Sequence, residues 1–185
     1  MANFFKKMAQ SLKGDNSAEV QQTPAAQTSV EKGIGEDSFV MPMDGTVIPL
    51  SEVPDPVFAQ EMMGPGFAID PTGGTVCSPI DGKVVSVFPT KHAIGLESSS
   101  GVEILIHVGL DTVKLNGEGF ELLVENEQLI SRGDALLKID VAHIKANAPS
   151  AVTPVIFTNT EKEKIHLLKE GKQTQGTSGI VRVDA

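Results

Sequence analysis

Pro42-Met-Asp-Gly-Thr-Val47 and Pro79-Ile-Asp-Gly-Lys-Val84 share the pattern Pro-x-Asp-Gly-x-Val at an offset of 37 residues. An Asp-Gly pair makes a tight turn, because glycine takes positive φ without steric cost. Each copy reads as a turn feeding a strand. Four positions agree, and both copies open a strand, which points to a duplicated β unit. Around them proline and glycine recur at short intervals from Pro42 to Gly82, with short Val/Ile runs between. This texture predicts an all-β fold, a compact antiparallel sandwich or barrel with minor short helices. The best helical candidates are residues 141–147 and 161–169, both short.

Composition bounds the rest. The chain has 185 residues, 40% of them hydrophobic, and a net charge of −9. That is one ordinary domain with an appendage. An acidic surface repels phosphate backbones, so nucleic acid is not expected as a partner. The single cysteine, Cys77, excludes an internal disulfide and a multi-cysteine zinc site. No apolar run approaches the ~20 residues of a membrane span. Residues 1–13 place Phe4, Phe5, Met8 and Leu12 on one helical arc and Lys6, Lys7 and Lys13 on the other. A short basic amphipathic helix suits an anionic membrane surface. Residues 14–38, poor in large apolar side chains, read as a flexible linker, leaving 39–185 as the globular domain. Glu127–Ile139 alternates around Gly133-Asp134 in the manner of biotinyl and lipoyl half-barrels, but no carrier lysine beside methionine follows.

Two histidines concentrate the chemistry. His92 and His107 flank the turn signal Ser98-Ser-Ser-Gly101. A symmetric hairpin with residues 97 and 102 bracketing the loop sets His92 directly opposite His107. Along the second strand, Val102, Ile104, Ile106 and Val108 point to a core, while Glu103, Leu105 and His107 point away. Thr90 shares a face with His92 and Phe88.

Such a pair supports several chemistries. One imidazole can attack phosphorus while the other donates a hydrogen bond to the phosphoryl oxygens. The two can bind zinc, with Asp111 or Glu97 as a carboxylate ligand. They can also be exposed strand residues without a role. His143 and His166 have no comparable company. No P-loop, dinucleotide fingerprint or serine-hydrolase elbow occurs.

Pro89-Thr-Lys-His-Ala-Ile-Gly-Leu96, Gly101-Val-Glu-Ile-Leu-Ile-His-Val-Gly-Leu-Asp-Thr-Val113 and Leu115-Asn-Gly-Glu-Gly-Phe120 closely resemble glucose-type EIIA. That is the IIA protein of the bacterial phosphoenolpyruvate:sugar phosphotransferase system. Val53–Ala59, Met62-Met-Gly64, Gly66–Pro71 and Thr153-Pro-Val-Ile156 also look like it. The resemblance implies a β-sandwich of the duplicated hybrid motif and a transient phosphohistidine carrier. It implies phosphorylation of His107 through Nε2, by the donor HPr, and onward transfer to a membrane EIIB domain for sugar uptake. His92 falls on the family's second active-site histidine, Thr90 on its hydrogen-bonding threonine, and Asp111 beside the site. No cofactor is implied, though enteric members can share a zinc through the two histidines. A cytoplasmic monomer, peripheral to the inner membrane face through residues 1–13, fits this role. The expected partner face has Val57, Phe58, Phe88, Leu105 and Val108 as an apolar ring, with Asp55 and Asp111 at its rim. The alternatives are a zinc-dependent hydrolase of hybrid β architecture and a purely regulatory binding protein.

Overall fold

The computed structural model describes residues 33–185. Thirteen strands dominate it: β1 (Gly45–Pro49), β2 (Gly66–Pro71), β3 (Thr75–Cys77), β4 (Gly82–Val87), β5 (Ala93–Ser98), β6 (Glu103–His107), β7 (Phe120–Leu122), β8 (Leu129–Ile130), β9 (Ala135–Ile139), β10 (Thr153–Phe157), β11 (Ile165–Leu167), β12 (Gly171–Gln173) and β13 (Val181–Val183). Two short α-helices join them, α1 (Pro56–Ala59) and α2 (Val141–Asn147). Eight strands form one antiparallel sheet in the order β12-β1-β2-β10-β6-β5-β4-β8. Smaller sheets, β3-β9-β7 and β11-β13, complete the set.

The two copies of the repeat open β1 and β4, each second from an edge of the large sheet, and their hydrogen bonds correspond. Val40 N–H donates to Pro79 C=O at 2.9 Å, and Cys77 N–H donates to Pro42 C=O at 2.7 Å, so the two copies of the repeat begin by exchanging bonds. Asp44 Oδ1 accepts from Gln175 N–H, and Asp81 Oδ1 from Arg132 N–H, both at 2.8 Å. Gly45 pairs across to Gln173 and Gly82 to Ile130. A Cβ on Gly45 would overlap Asp70 O, and one on Gly82 would overlap Glu97 O. The aspartate is thus retained as an acceptor for a distant backbone, and the glycine for close approach of strands.

Alternation along the central strands builds two apolar layers. Phe67 and Ile69 of β2, Ile94 and Leu96 of β5, Ile104 and Ile106 of β6, and Val155 and Phe157 of β10 enter the main core. They pack there with Phe39, Met41, Met43 and the inner faces of the small sheets. Ala68, Ala93, Leu105 and Ile156 point the other way, into a second cluster with Leu50, Val53, Phe58 and Leu110. The segment 50–63, including α1, covers that second face. Leu105 is therefore 1% exposed, and Val108 lies in the main core, also 1% exposed. Neither is available to a partner, which corrects the expected apolar ring.

Three further expectations meet the structure here. The helix at 141–147 forms, capped by Asp140, whose carboxylate accepts from His143 N–H at 2.9 Å. The helix expected over 161–169 does not. A 3₁₀ turn at Lys162–Lys164 leads into β11, whose Ile165, His166 and Leu167 pair with β13. Tertiary pairing overrides a charged, weakly helical stretch. The linker also ends earlier than expected. Ile34 is buried and bridges Val183, with N–H to carbonyl bonds of 2.8 and 2.9 Å in the two directions. Residues 1–13 and the linker up to residue 32 lie outside the described residues.

Candidate functional site

His107 ends β6, on the second face of the sheet. Its ring is half-buried, tilted against Phe58 with centroids 5.1 Å apart. Its Nδ1 donates to the carbonyl of Gly109 at 2.8 Å. The chain reverses sharply just after, with Gly109 at φ +73°. A Cβ there would stand 2.5 Å from Thr112 Cγ2 and 3.0 Å from Ser150 O, so only glycine fits.

His92 reaches the same place by a different route from the one its spacing predicts. The hairpin pairs Ala93, not His92, with His107, and Glu97 with Glu103. Ser98 N–H donates to Val102 C=O at 2.9 Å, so the loop is the three residues 99–101. The register shifts by one, and a regular strand would then send the two side chains to opposite faces. His92 lies ahead of β5 instead, after a turn closed by Lys91 N–H to Phe88 C=O at 2.8 Å, with Lys91 at φ +57°. Val108 N–H donates to His92 C=O at 2.7 Å and holds it against the end of β6. The imidazoles meet edge to face, with centroids 4.8 Å apart. Thr90 Oγ1 and His92 Nδ1 share a hydrogen bond of 2.6 Å. Phe88 packs on the outer side of His92, with centroids 5.5 Å apart.

Both rings are kept neutral. Burial, helped by the neighbouring His107, lowers the pKa of His92 to about 4. Burial also lowers that of His107, against the opposing pull of the Gly109 carbonyl and the carboxylates of Asp55 and Asp111. Asp55 is half-buried and caps α1, accepting from Val57 N–H at 2.8 Å. Asp111 is exposed, sits at φ +57°, and pairs with Lys114 at 2.7 Å.

The structure thus gathers His107, His92, Thr90, Phe58, Phe88, Asp55 and Asp111. Val57 stands 39% exposed on α1. Glu97 does not belong: it lies toward the hairpin tip and pairs with Lys83 at 3.2 Å. Among the described residues, no group of three or more His, Cys, Asp or Glu side chains could hold a metal ion. The zinc reading therefore lacks the third protein ligand it invoked. His143 lies 3.9 Å from Glu118, and His166 bonds Asp184 at 2.8 Å, both outside this site. Two features escaped the sequence. The Gly109 carbonyl is a backbone group, without a residue-type signal. Met62 and Val113, 71% and 48% exposed, are large apolar residues that strand parity does not describe. No helix among the described residues is long and apolar enough to cross a membrane.

The fold and the pair can now be set beside known proteins. The family model for the phosphoenolpyruvate-dependent sugar phosphotransferase system, EIIA 1, matches residues 37–163. The chain is 54% identical over 144 residues to the PTS system glucosamine-specific EIICBA component of Bacillus subtilis (strain 168). That alignment covers 76% of this chain but 23% of the relative, so the chain spans under a quarter of that protein's length. Among solved structures, glucose permease IIA from Mycoplasma capricolum matches with a TM-score of 0.75 at 43% identity. The match covers 81% of this chain and 96% of that one.

Proposed function

This chain belongs to the EIIA 1 family of the phosphoenolpyruvate-dependent sugar phosphotransferase system, and we propose that it is a phosphoryl carrier with His107 as the phosphorylated residue. The observation that carries the reading is the bond from His107 Nδ1 to the Gly109 carbonyl. A carbonyl only accepts, so Nδ1 keeps the proton and the lone pair sits on Nε2. Burial keeps that lone pair unprotonated. Nε2 attacks the phosphorus of phospho-HPr. The P–N bond to the donor's imidazole breaks in line, and its electron pair returns to the donor ring. The step balances without a cofactor, and catalysis is positioning plus electrostatics. A nucleophile of a membrane EIIB domain would then attack the same phosphorus, the P–N bond to His107 Nε2 breaking in line and its electron pair returning to the His107 ring.

His92 would donate from Nε2 to the phosphoryl oxygens. The Thr90 hydroxyl, as donor to His92 Nδ1, fixes the tautomer this requires. Val57, Phe88, Met62 and Val113 would form the docking ring, with Phe58, buried at 5% exposure, packed beneath His107 rather than open to a partner, and Asp55 and Asp111 facing basic groups on both partners. The protein would act in the cytoplasm as a monomer, showing one face to HPr and then to EIIB. Residues 1–13 would hold it near anionic lipid, and the following linker would let the domain turn.

Incubation with phosphoenolpyruvate, EI and HPr tests the reading by intact mass. One acid-labile phosphoryl group per chain is expected, and none on His107→Ala. A wild-type chain that gains no mass overturns it. Release of the group to EIIB separates a carrier from a protein that binds its partners only as a signal.

A further inference from the structure

Five residues, Val108–Thr112, follow His107 directly, and one buried hydroxyl grips them. Thr112 is fully buried, and its Oγ1 donates to Val108 C=O at 2.6 Å. Val108 N–H in turn donates to His92 C=O. The peptide joining Val108 to Gly109 is therefore held by Thr112. The next peptide carries both the Gly109 carbonyl and the Leu110 N–H, because the amide is planar. It is held on one side by Leu110 N–H to Ser150 C=O at 2.9 Å and on the other by His107 Nδ1. The two planes hinge at Gly109, the residue with the softest backbone. Thr112 Cγ2 also fills the space beneath Gly109 where a Cβ would stand.

We propose that Thr112 is a positioning residue for phosphoryl transfer. By fixing the plane before Gly109, its hydroxyl keeps the following carbonyl aimed at His107 Nδ1, and so keeps the His107 proton off Nε2. The proposal rests on the carrier reading of His107. Without the clamp the carbonyl is anchored only through Leu110 N–H to Ser150 and gains freedom about Gly109 Cα, so the proton's acceptor is less well fixed. Part of the population then carries it on Nε2, the nitrogen that must attack. Thr112 touches neither the phosphoryl group nor a partner; it acts through one carbonyl.

The test pairs a spectroscopic signature with a rate. Long-range ¹H–¹⁵N correlation reads the tautomer of His107 in wild type, Thr112→Val and Thr112→Ser. Rapid quench reads acceptance from phospho-HPr. Wild type should show Nδ1–H alone. Thr112→Val keeps the Cγ2 methyl group and nearly the volume but has no donor. It should show both tautomers and accept about five- to tenfold more slowly, the equivalent of one net hydrogen bond. Thr112→Ser should restore both readouts. The tautomer is read on the folded fraction at low temperature, so a less stable variant still reports; Thr112→Ala serves if the valine variant does not fold. An unchanged tautomer pattern in the folded hydroxyl-less variant overturns the role of Thr112. A wild type that takes no phosphoryl group, with the tautomer shift present, instead overturns the carrier reading.

Discussion

His92 stays uncharged far below the pH at which a free imidazole ionises. Its folded pKa of about 4 lies under the unfolded value of 6.5. Between those values the unfolded chain binds a proton that the native site refuses. The contribution to stability is thus fully present above about pH 6.5 and is lost as pH falls toward 4, roughly 3 kcal/mol in all. His107 is shifted in the same direction and adds to the slope. Urea unfolding of wild type and His92→Gln at about pH 7 and pH 4.5 checks this. The variant should lose less stability on acidification, and equal losses would contradict the assignment. In phosphoryl transfer the same variant should separate the two half-reactions. The glutamine amide still donates, so acceptance from HPr should persist, while transfer to EIIB should fall much further, by up to ~3 kcal/mol, because the amide lacks the fixed aim that Thr90 gives the imidazole. Rapid quench of each half-reaction decides it, and equal falls would remove the asymmetry. At this scale the sequence was partly legible. The parity of β6 sorted Ile104 and Ile106 from Leu105 and His107 correctly, because alternation is local. It did not show that Leu105 is covered, since Leu50, Val53 and Phe58 come from fifty residues earlier in the chain.

Elements rather than residues explain why the hairpin register departs from the symmetric one. Ser98-Ser-Ser-Gly101 is compatible with loops of three or four residues. The choice is made from outside the hairpin. Asn159 Nδ2 donates to Gly101 C=O and its Oδ1 accepts from Glu103 N–H, both at 2.9 Å, while Ser100 Oγ donates to Gly33 C=O at 2.7 Å. No local pattern encodes partners that far away. The histidines still meet, because the turn at Phe88–Lys91 displaces His92 from the strand. Where the repeat motif itself sets the geometry, prediction is firmer. Gly82→Ala would drive a methyl group into Glu97 O, at the junction of β4 and β5. It should destabilise the domain by about 3 kcal/mol, at the upper end of overpacking. A change below about 0.5 kcal/mol in thermal unfolding would show that the sheet yields there more easily than its backbone contacts imply.

For the whole molecule, charge and symmetry matter most. The duplication was visible only in Pro-x-Asp-Gly-x-Val. Its partner segments, Ser131-Arg-Gly-Asp134 and Thr174-Gln-Gly-Thr177, perform matching hydrogen bonding. Gly133 N–H donates to Ser78 C=O and Gly176 N–H to Met41 C=O, both at 2.9 Å. They share one glycine and an initial hydroxyl, and lie at a different offset, so no sequence repeat announces them. The net charge of −9, with Asp55 and Asp111 beside His107, should steer basic partners to the site. Asp55→Asn keeps a helix cap and removes one charge. It should slow acceptance from HPr about threefold at low salt and leave it unchanged at high salt. No difference at low salt would end the steering argument. Deletion of residues 1–13 should spare acceptance and slow transfer to membrane-embedded EIIB. Circular dichroism of that peptide with anionic vesicles, showing no gain in helix, would count against the membrane role.

The bridge between Ile34 and Val183 has an architectural consequence. Gly33 lies beside Ala185, and Ser100 at the hairpin tip holds Gly33. The histidines stand at the other end of that hairpin, roughly 17 Å away by strand rise. Gly33 and Ala185, the first and last described residues, therefore lie at one pole, and the chemistry occupies the opposite one. Such a body behaves as a plug-in module: it can be spliced to a neighbour through either end, or strung between two, without shadowing its reactive face. Evolution of fused and free versions then needs only a change of connector, with the domain carried over intact.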